Sequence, residues 1–465
     1  MLEPLYTAAE MKQAEAGHVV RDLMERAGRA VAEIAMERFP DARRFVGVCG
    51  GGANGGDGRI ALEVLESAGR AARPVEDAPL SDADVVIDAL FGTGFHGEPR
   101  EEAAAAIEEI NATSAPVVSV DLPSGIDAST GEVAGACVDA TLTVTFHGPK
   151  VGLAVAPGRF HAGKVVVADI GLKPLETEHR LVTAEILRLV PHKQPDENKY
   201  SAGTVLVVGG SPGLTGAPSL AADAAFRADA GYVAVAMPES TLPVFEQRLL
   251  EAVKLPCPED DGLISARAVD AIVEFGAKAG AVALGPGLGR GSGPKEVVLR
   301  LLDELDRPVV VDADALFELE PFDRAGQTVM TPHEGELGRL LERDSSWVSA
   351  HRMEAARRGA ARFGSVCLLK GADTIVAAPG EGMLVSALGT PALATAGSGD
   401  VLTGIVAAFL AKGLDARLAA AAAAAAQGVA STLVAQAGAV ASDVIHKLPD
   451  VLAGSAMPNH SVQPG

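Results

Sequence analysis

Aromatic side chains are scarce in this chain, 4% of 465 residues with a single Trp, so its cores have to be filled by Ala, Val and Leu. Basic residues are outnumbered, 39 Lys and Arg against 61 Asp and Glu, and the net charge is -22. A surface of that sign excludes partners held by broad phosphate neutralisation, so no nucleic acid and no anionic membrane is expected as a partner. It leaves room for a small anion gripped locally by backbone N–H groups. Cysteine is rare too: Cys49, Cys137, Cys257 and Cys367 form no CxxC pair and read as buried thiols in a reducing compartment, with no zinc signal. No run reaches the ~18 uninterrupted apolar residues of a membrane span. The segment from Met1 to Glu15 carries three glutamates and no apolar core of signal-peptide length. A soluble, cytoplasmic protein is expected.

Apolar residues (48%) and glycine (52 residues) are abundant, and the length predicts two domains. Short β-branched runs alternate with Ala-rich helical stretches, the pattern of parallel sheets covered by helices. The first half offers strands at Phe45–Cys49, Val85–Asp88, Val117–Asp121, Thr141–Phe146 and Val165–Ile170. From Gly171 to Val190 the strand signal fades, and Pro191 to Gly203 is polar, which sets domains at 1–180 and 181–465. The second half offers Thr204–Val208, Val282–Leu284, Val309–Asp312, Thr328–Met330, Val366–Leu369 and Thr374–Ala377. The fold class is α/β, with a Rossmann-like parallel-sheet domain first. The alanine run Ala419–Ala426 reads as a tightly packed helix.

Three glycine-rich loops of the first half follow strands: Gly50 to Gly58, Asp88 to Glu98, and Asp121 to Asp127. Ligands of open parallel sheets bind at the carboxyl ends of the strands, so Asn54, Asp57, Asp88, Asp121 and Ser124 can converge there. Asn54, Asp88 and Ser124 offer hard oxygens suited to an alkali or alkaline-earth cation. The same residue types also cap turns and helix starts, so a single loop decides nothing. The motifs Gly-Gly-Asp-Gly after Asn54, Asp88-Ala-Leu-Phe-Gly-Thr-Gly94 and Val120-Asp-Leu-Pro-Ser-Gly125 resemble those of NAD(P)HX epimerases, which interconvert the R and S hydrates of NADH and NADPH. The resemblance covers Met1 to about Lys173. It implies that Ala53, Asn54, Gly55, Gly56 and Asp57 contact the hydrated nucleotide, as do Gly92, Thr93, Gly94, Phe95, His96, Gly97 and Glu98. It implies a potassium ion (K+) on Asn54, Asp88 and Ser124, and Asp121 as substrate contact and acid/base. Ala53 departs from the family's usual Asn.

In the second half, Thr395-Ala-Gly-Ser-Gly-Asp-Val-Leu-Thr-Gly404 precedes the apolar run Val401–Leu410, a buried helix whose free N–H groups face the loop. Asp400 there either caps the helix or takes a proton from a hydroxyl attacking phosphorus. Gly209–Pro218, Gly285–Gly289, Asp312–Leu316, Thr331–Glu336 and Lys370–Thr374 also lie past strands, the geometry of a nucleotide site. Together they resemble the ribokinase-like fold and, more narrowly, the ADP/ATP-dependent NAD(P)H-hydrate dehydratases, from about Val182 to Leu452. Ser398 and Glu334 stand where that family more often has Thr and Pro.

That resemblance implies hydrate contacts at Ala217, Gly287, His333 and Asp400, and adenine-nucleotide contacts at Lys370, Gly371, Ala372, Asp373, Thr374 and Gly399. The implied catalytic pair is Asp121 and Asp400, the substrates are NADHX, NADPHX and ADP, and Mg2+ accompanies the ADP. Epimerisation would feed dehydration of S-NAD(P)HX to NAD(P)H, AMP and phosphate, and a homo-oligomer is the expected assembly. Two other readings stand beside it. One is a ribokinase-like kinase of another small alcohol with a regulatory first domain; the other makes the first domain a catalytically silent module.

Overall fold

The computed structural model describes residues 2–456, which fall into two compact units, Pro4–Arg180 with Ser349–Arg352, and the remainder. In the first unit six strands form one parallel sheet: β1 (Arg44–Cys49), β2 (Ala71–Pro74), β3 (Val85–Ala89), β4 (Val117–Val120), β5 (Leu142–Phe146) and β6 (Lys164–Ala168). Their order is β2-β1-β3-β4-β5-β6. The central strands are buried on both faces, as Val85, Val86, Ile87 and Val118 show with no exposure, which is why they read as continuous apolar runs. Helices α1 (Ala8–Glu15), α2 (Val20–Arg38) and α3 (Ala53–Ser67) belong to this unit. Gly28 and Gly56 let α2 and α3 approach closely, since a Cβ on either would lie within 2.7 Å of the other helix. The chain leaves β1 for β2 on one side and returns to β3 on the other, so the loops after β1 and β3 part at a switch point.

The second unit is built on β7 (Thr204–Val208), β8 (Tyr232–Pro238), β9 (Val253–Cys257), β10 (Ala281–Leu284), β11 (Val309–Val311), β12 (Thr328–Met330), β13 (Val366–Leu369), β14 (Thr374–Ala377) and β15 (Leu384–Ser386). These run β15-β14-β13-β12-β11-β10-β7-β8-β9, and the switch point lies between β7 and β10. β7 through β13 pair in parallel, but β13, β14 and β15 are antiparallel. The all-parallel expectation fails there because Lys370–Asp373 is a four-residue turn, too short for a crossover.

One face of this sheet carries α4 (Gly216–Arg227), α7 (Ser398–Ala411) and α8 (Ala416–Thr432). Gly404 of α7 brings α4 so close that a Cβ would sit 2.1 Å from the Ala221 carbonyl. The alanines 419–426 all lie inside α8 and are buried, the side-chain size that such close packing allows. The other face carries α5 (Ser292–Glu304).

Two candidate active sites

At the switch point of the first unit a cavity of about 760 Å3 opens. It is lined from the loop after β1 by Gly50 to Asn54 and Asp57, from the loop after β3 by Leu90 to His96 and Glu98, and by Asp121, Phe146 and Glu15. Ala53, Asn54, Asp57, Gly92, Thr93, Gly94, Phe95, His96, Glu98 and Asp121 therefore share one wall system. Gly55 and Gly56 do not line it: they serve packing, Gly55 against the Gly50 carbonyl and Gly56 against Met24. Gly97 also lies off the wall, in a left-handed turn with φ +75° beside His96, whose ring pairs with Asp127 at 2.8 Å. Phe91 and Phe95 stack at 4.5 Å between centroids.

Asp57 stands in the second turn of α3, and one of its carboxyl oxygens is buried without a hydrogen-bond partner. Burial, then the charges of Asp121 and Glu15, push it up to about 8. Asp121, directly after β4, adopts a left-handed φ of 66°. Its Oδ1 accepts from the Lys150 ammonium at 2.5 Å and from the Thr145 hydroxyl at 3.1 Å. Lys150 is fully buried and also donates to Thr145 Oγ1 and the Phe146 carbonyl, each at 2.8 Å.

Asp88, Ser124 and Asn54 gather around Phe91, Asn54 on the cavity wall and Asp88 and Ser124 off it. The Asp88 carboxylate accepts from Ser119 Oγ (2.8 Å), Ser124 N (2.9 Å) and Ser124 Oγ (2.6 Å). Ser124 Oγ accepts from Phe91 N at 2.9 Å, and Asn54 Nδ2 donates to the Phe91 carbonyl at 2.7 Å. Burial raises Asp88 against the pull of those hydrogen bonds. Among the described residues no basic side chain pairs with it. A desolvated carboxylate beside an amide oxygen and a hydroxyl fits a monovalent cation, because a cation would compensate the buried charge.

In the second unit the carboxyl edge again gathers the motif residues. The Gly287 carbonyl accepts from Gly210 N (2.8 Å) and Ser211 N (2.7 Å), tying the loops after β7 and β10 together. Gly287 needs its φ of +57°, and a Cβ there would lie 2.4 Å from the Leu214 carbonyl. Ala217 sits in the first turn of α4, next to that loop. Lys370, opening the β13–β14 turn, donates to Asp312 Oδ1 at 2.9 Å and lies 3.8 Å from Glu336. Gly371, Ala372 and Asp373 complete that turn and Thr374 begins β14.

Thr403 Oγ1, one turn along α7 from Asp400, donates to the other Asp312 oxygen at 2.7 Å. Gly399 faces Lys370, with 3.3 Å from a would-be Cβ to the ammonium. Asp400 is in the first turn of α7, behind the left-handed Gly397 (φ +90°). The first α-helical bond is Val401 N to Gly397 O, so the amides of Gly399 and Asp400 stay open to a ligand. Burial, then Asp312, pushes Asp400 up to about 7 against the pull of Lys370. His333 is exposed and caps α6 (Glu334–Leu341): its Nδ1 accepts from Gly335 N at 3.0 Å, and Glu336 accepts from His333 N at 2.8 Å.

Sequence reasoning gave no role to Lys150, Glu15, Asp312, Glu336 or Thr403. Asp312 and Glu336 lay inside motifs already singled out. Lys150 closes Phe146-His-Gly-Pro-Lys150, just past a strand, so the strand-end rule applied to β5 would have found it. Glu15, at the end of a helix without glycine fingerprint, carried no signal.

Residues 205–452 match the family model described as NAD(P)H-hydrate dehydratase, and residues 20–76 and 67–152 match the YjeF-related protein N-terminus. Relatives named bifunctional NAD(P)H-hydrate repair enzyme include one of Moorella thermoacetica, 38% identical and covering 96% of both chains, and one of Escherichia coli, 32% identical over 94% of this chain and 90% of that one. Among solved structures, the ADP/ATP-dependent NAD(P)H-hydrate dehydratase of Bacillus subtilis, co-crystallised with ATP and Mg2+, superposes with TM-score 0.52 and 28% identity, over 59% of this chain and 97% of that one. A ribokinase-like superfamily protein of Enterococcus faecalis, 22% identical, reaches 0.53 over 62% of this chain and 99% of that one and attests the fold.

Proposed function

This chain belongs to the bifunctional NAD(P)H-hydrate repair enzymes, and on that premise we propose how its two units divide the work. It is an enzyme of two activities, epimerisation and nucleotide-dependent dehydration of hydrated NADH and NADPH. The first unit, up to residue 180, would interconvert the R and S hydrates in the cavity between the loops after β1 and β3. The second, from residue 181, would dehydrate the S form at Asp400 with ADP, yielding NAD(P)H, AMP and phosphate.

The chemistry of the second site follows from leaving groups. Hydroxide leaves the hydrated ring poorly, and phosphate leaves well. Asp400 takes the proton of the ring hydroxyl, whose oxygen attacks the terminal phosphoryl group, and the open amides at Gly399 and Asp400 stabilise the charge that develops. Loss of phosphate then restores the dihydronicotinamide ring. Lys370, held by Asp312, lies against Gly399 to meet the departing nucleotide's charge. Magnesium accompanies the nucleotide. Among the described residues no three acidic or imidazole groups form a metal cage, so the ion would rest on the phosphates with Glu336 as a nearby carboxylate, and it neutralises phosphate charge.

In the first unit Asn54, Asp88 and Ser124 would hold potassium, which supplies positive charge beside the cavity for the substrate's phosphates. The four free thiols support a cytoplasmic setting, and the homo-oligomer expected from the resemblance is decided by sedimentation. The observation that carries the reading is a half-buried carboxyl group, pushed up to about 7, among open helix amides at Asp400. Asp400→Asn, whose amide accepts no proton, tests it. Turnover of S-NADHX should fall ~10²–10⁴-fold with ADP binding retained, and near-normal turnover would reject the assignment.

A further inference from the structure

We propose that epimerisation runs on two carboxyl groups: Asp121, ion-paired to Lys150, takes the proton of the substrate hydroxyl, while Asp57 gives its own proton to the ring nitrogen. This rests on the epimerase reading of the first unit. Both groups line the one cavity, Asp57 from α3 and Asp121 from the end of β4. Their surroundings are opposite. Asp121 is met by an ammonium and a hydroxyl. All three Lys150 N–H bonds are spent on Asp121, Thr145 and the Phe146 carbonyl, so Lys150 serves Asp121 and has no N–H left for the substrate.

Asp57 is 9% exposed, and among the described residues its Oδ1 has no hydrogen-bond partner; Arg100 also lines the cavity but is not among the charges that act on Asp57. The charged groups acting on it are Asp121, after β4, and Glu15, at the end of α1; both are acidic. Around it the helix packs through glycines against apolar and backbone groups: Met24 of α2 at Gly56, Ala89 of β3 at Gly58, and Gly28 of α2 against Ile60 and the Asp57 carbonyl. A carboxyl group so placed keeps its proton at neutral pH, in keeping with its rise to about 8. A carboxyl group without a hydrogen-bond partner on one oxygen and a carboxyl group paired to an ammonium, facing one cavity, make an acid and a base.

The step balances. In the hydrated ring the hydroxyl-bearing carbon is bonded to the ring nitrogen. Asp121 removes the hydroxyl proton, the C–O bond becomes C=O, and the C–N bond breaks with its electron pair going to nitrogen, which takes the Asp57 proton. Rotation about the adjacent C–C bond turns the other face of the aldehyde to the nitrogen. Reclosure returns one proton to Asp57 and the other to the new hydroxyl, so only the configuration changes.

The test uses the full chain without ADP, so that dehydration is idle, and follows R-to-S interconversion of NADHX by chromatography from pH 6 to pH 10. Wild-type kcat should hold below an inflection near 8 and fall about tenfold per pH unit above it, as Asp57 loses its proton. Asp57→Asn should lose ~10²–10⁴-fold in kcat and show no such inflection, while an unchanged unfolding transition of the first unit reports that its fold is intact. Asp57→Glu should recover part of the rate and keep a basic limb. A wild-type profile flat to pH 10, or an Asp57→Asn variant with wild-type kcat, overturns the proposal and leaves the epimerase reading standing. No interconversion by the wild type above the uncatalysed rate overturns both.

Discussion

Asp400 shows how one placement sets both activity and stability. Its carboxyl group is half-buried near Asp312, and desolvation with that neighbouring charge pushes it up to about 7. Since only the ionised form accepts a proton, kcat/KM for dehydration should climb as pH rises through about 7 and then level off, a limb that Asp400→Asn should lack. The stability sign is the reverse. A carboxyl group whose folded pKa is raised adds stability that is fully present below its ordinary range and lost as pH rises through about 7. Asp400→Asn should therefore melt higher than the wild type at pH 8, with the gap closing towards pH 5. A gap independent of pH would mean that Asp400 is not the titrating group. At Asp88 the expectation is different in kind: Asp88→Ala removes a desolvated carboxylate and should raise KM for the hydrate and abolish any response to potassium, and an unchanged potassium response would remove Asp88 from the ion's ligands.

Among elements, what the sequence made legible depended on burial. Thr204–Val208 and Val366–Leu369 stand where the reading put them, because strands covered on both faces are near-continuous apolar runs. Ala71–Pro74 escaped, being an edge strand with no β-branched residue. The antiparallel turn at Lys370 was missed because strand runs carry no mark of direction. Asp57, Asp121 and Asp400 stood out in glycine-rich motifs, but Lys150 pairs with Asp121 from 29 residues away, a contact that only the register of β4 and β5 creates. Helix packing yields its own prediction. Gly404→Val would drive a side chain into the Ala221 carbonyl, where even a Cβ stands 2.1 Å away. A loss of about 1–3 kcal/mol should follow, read by denaturant unfolding of the second unit, and an unchanged midpoint would show that α7 and α4 are free to part.

At the scale of the whole molecule, two sheets with separate cores each carry their own switch point and their own site. A fragment from Leu181 onward should therefore dehydrate S-NADHX and leave the R form to slow spontaneous epimerisation. The full chain should do both. The most direct measurement mixes it with equal amounts of R- and S-NADHX, ADP, magnesium and potassium, and follows the absorbance of regenerated NADH. NADH should return to the full amount of hydrate supplied, and only when ADP is present. Arrest at half that amount, or recovery without ADP, would contradict the account.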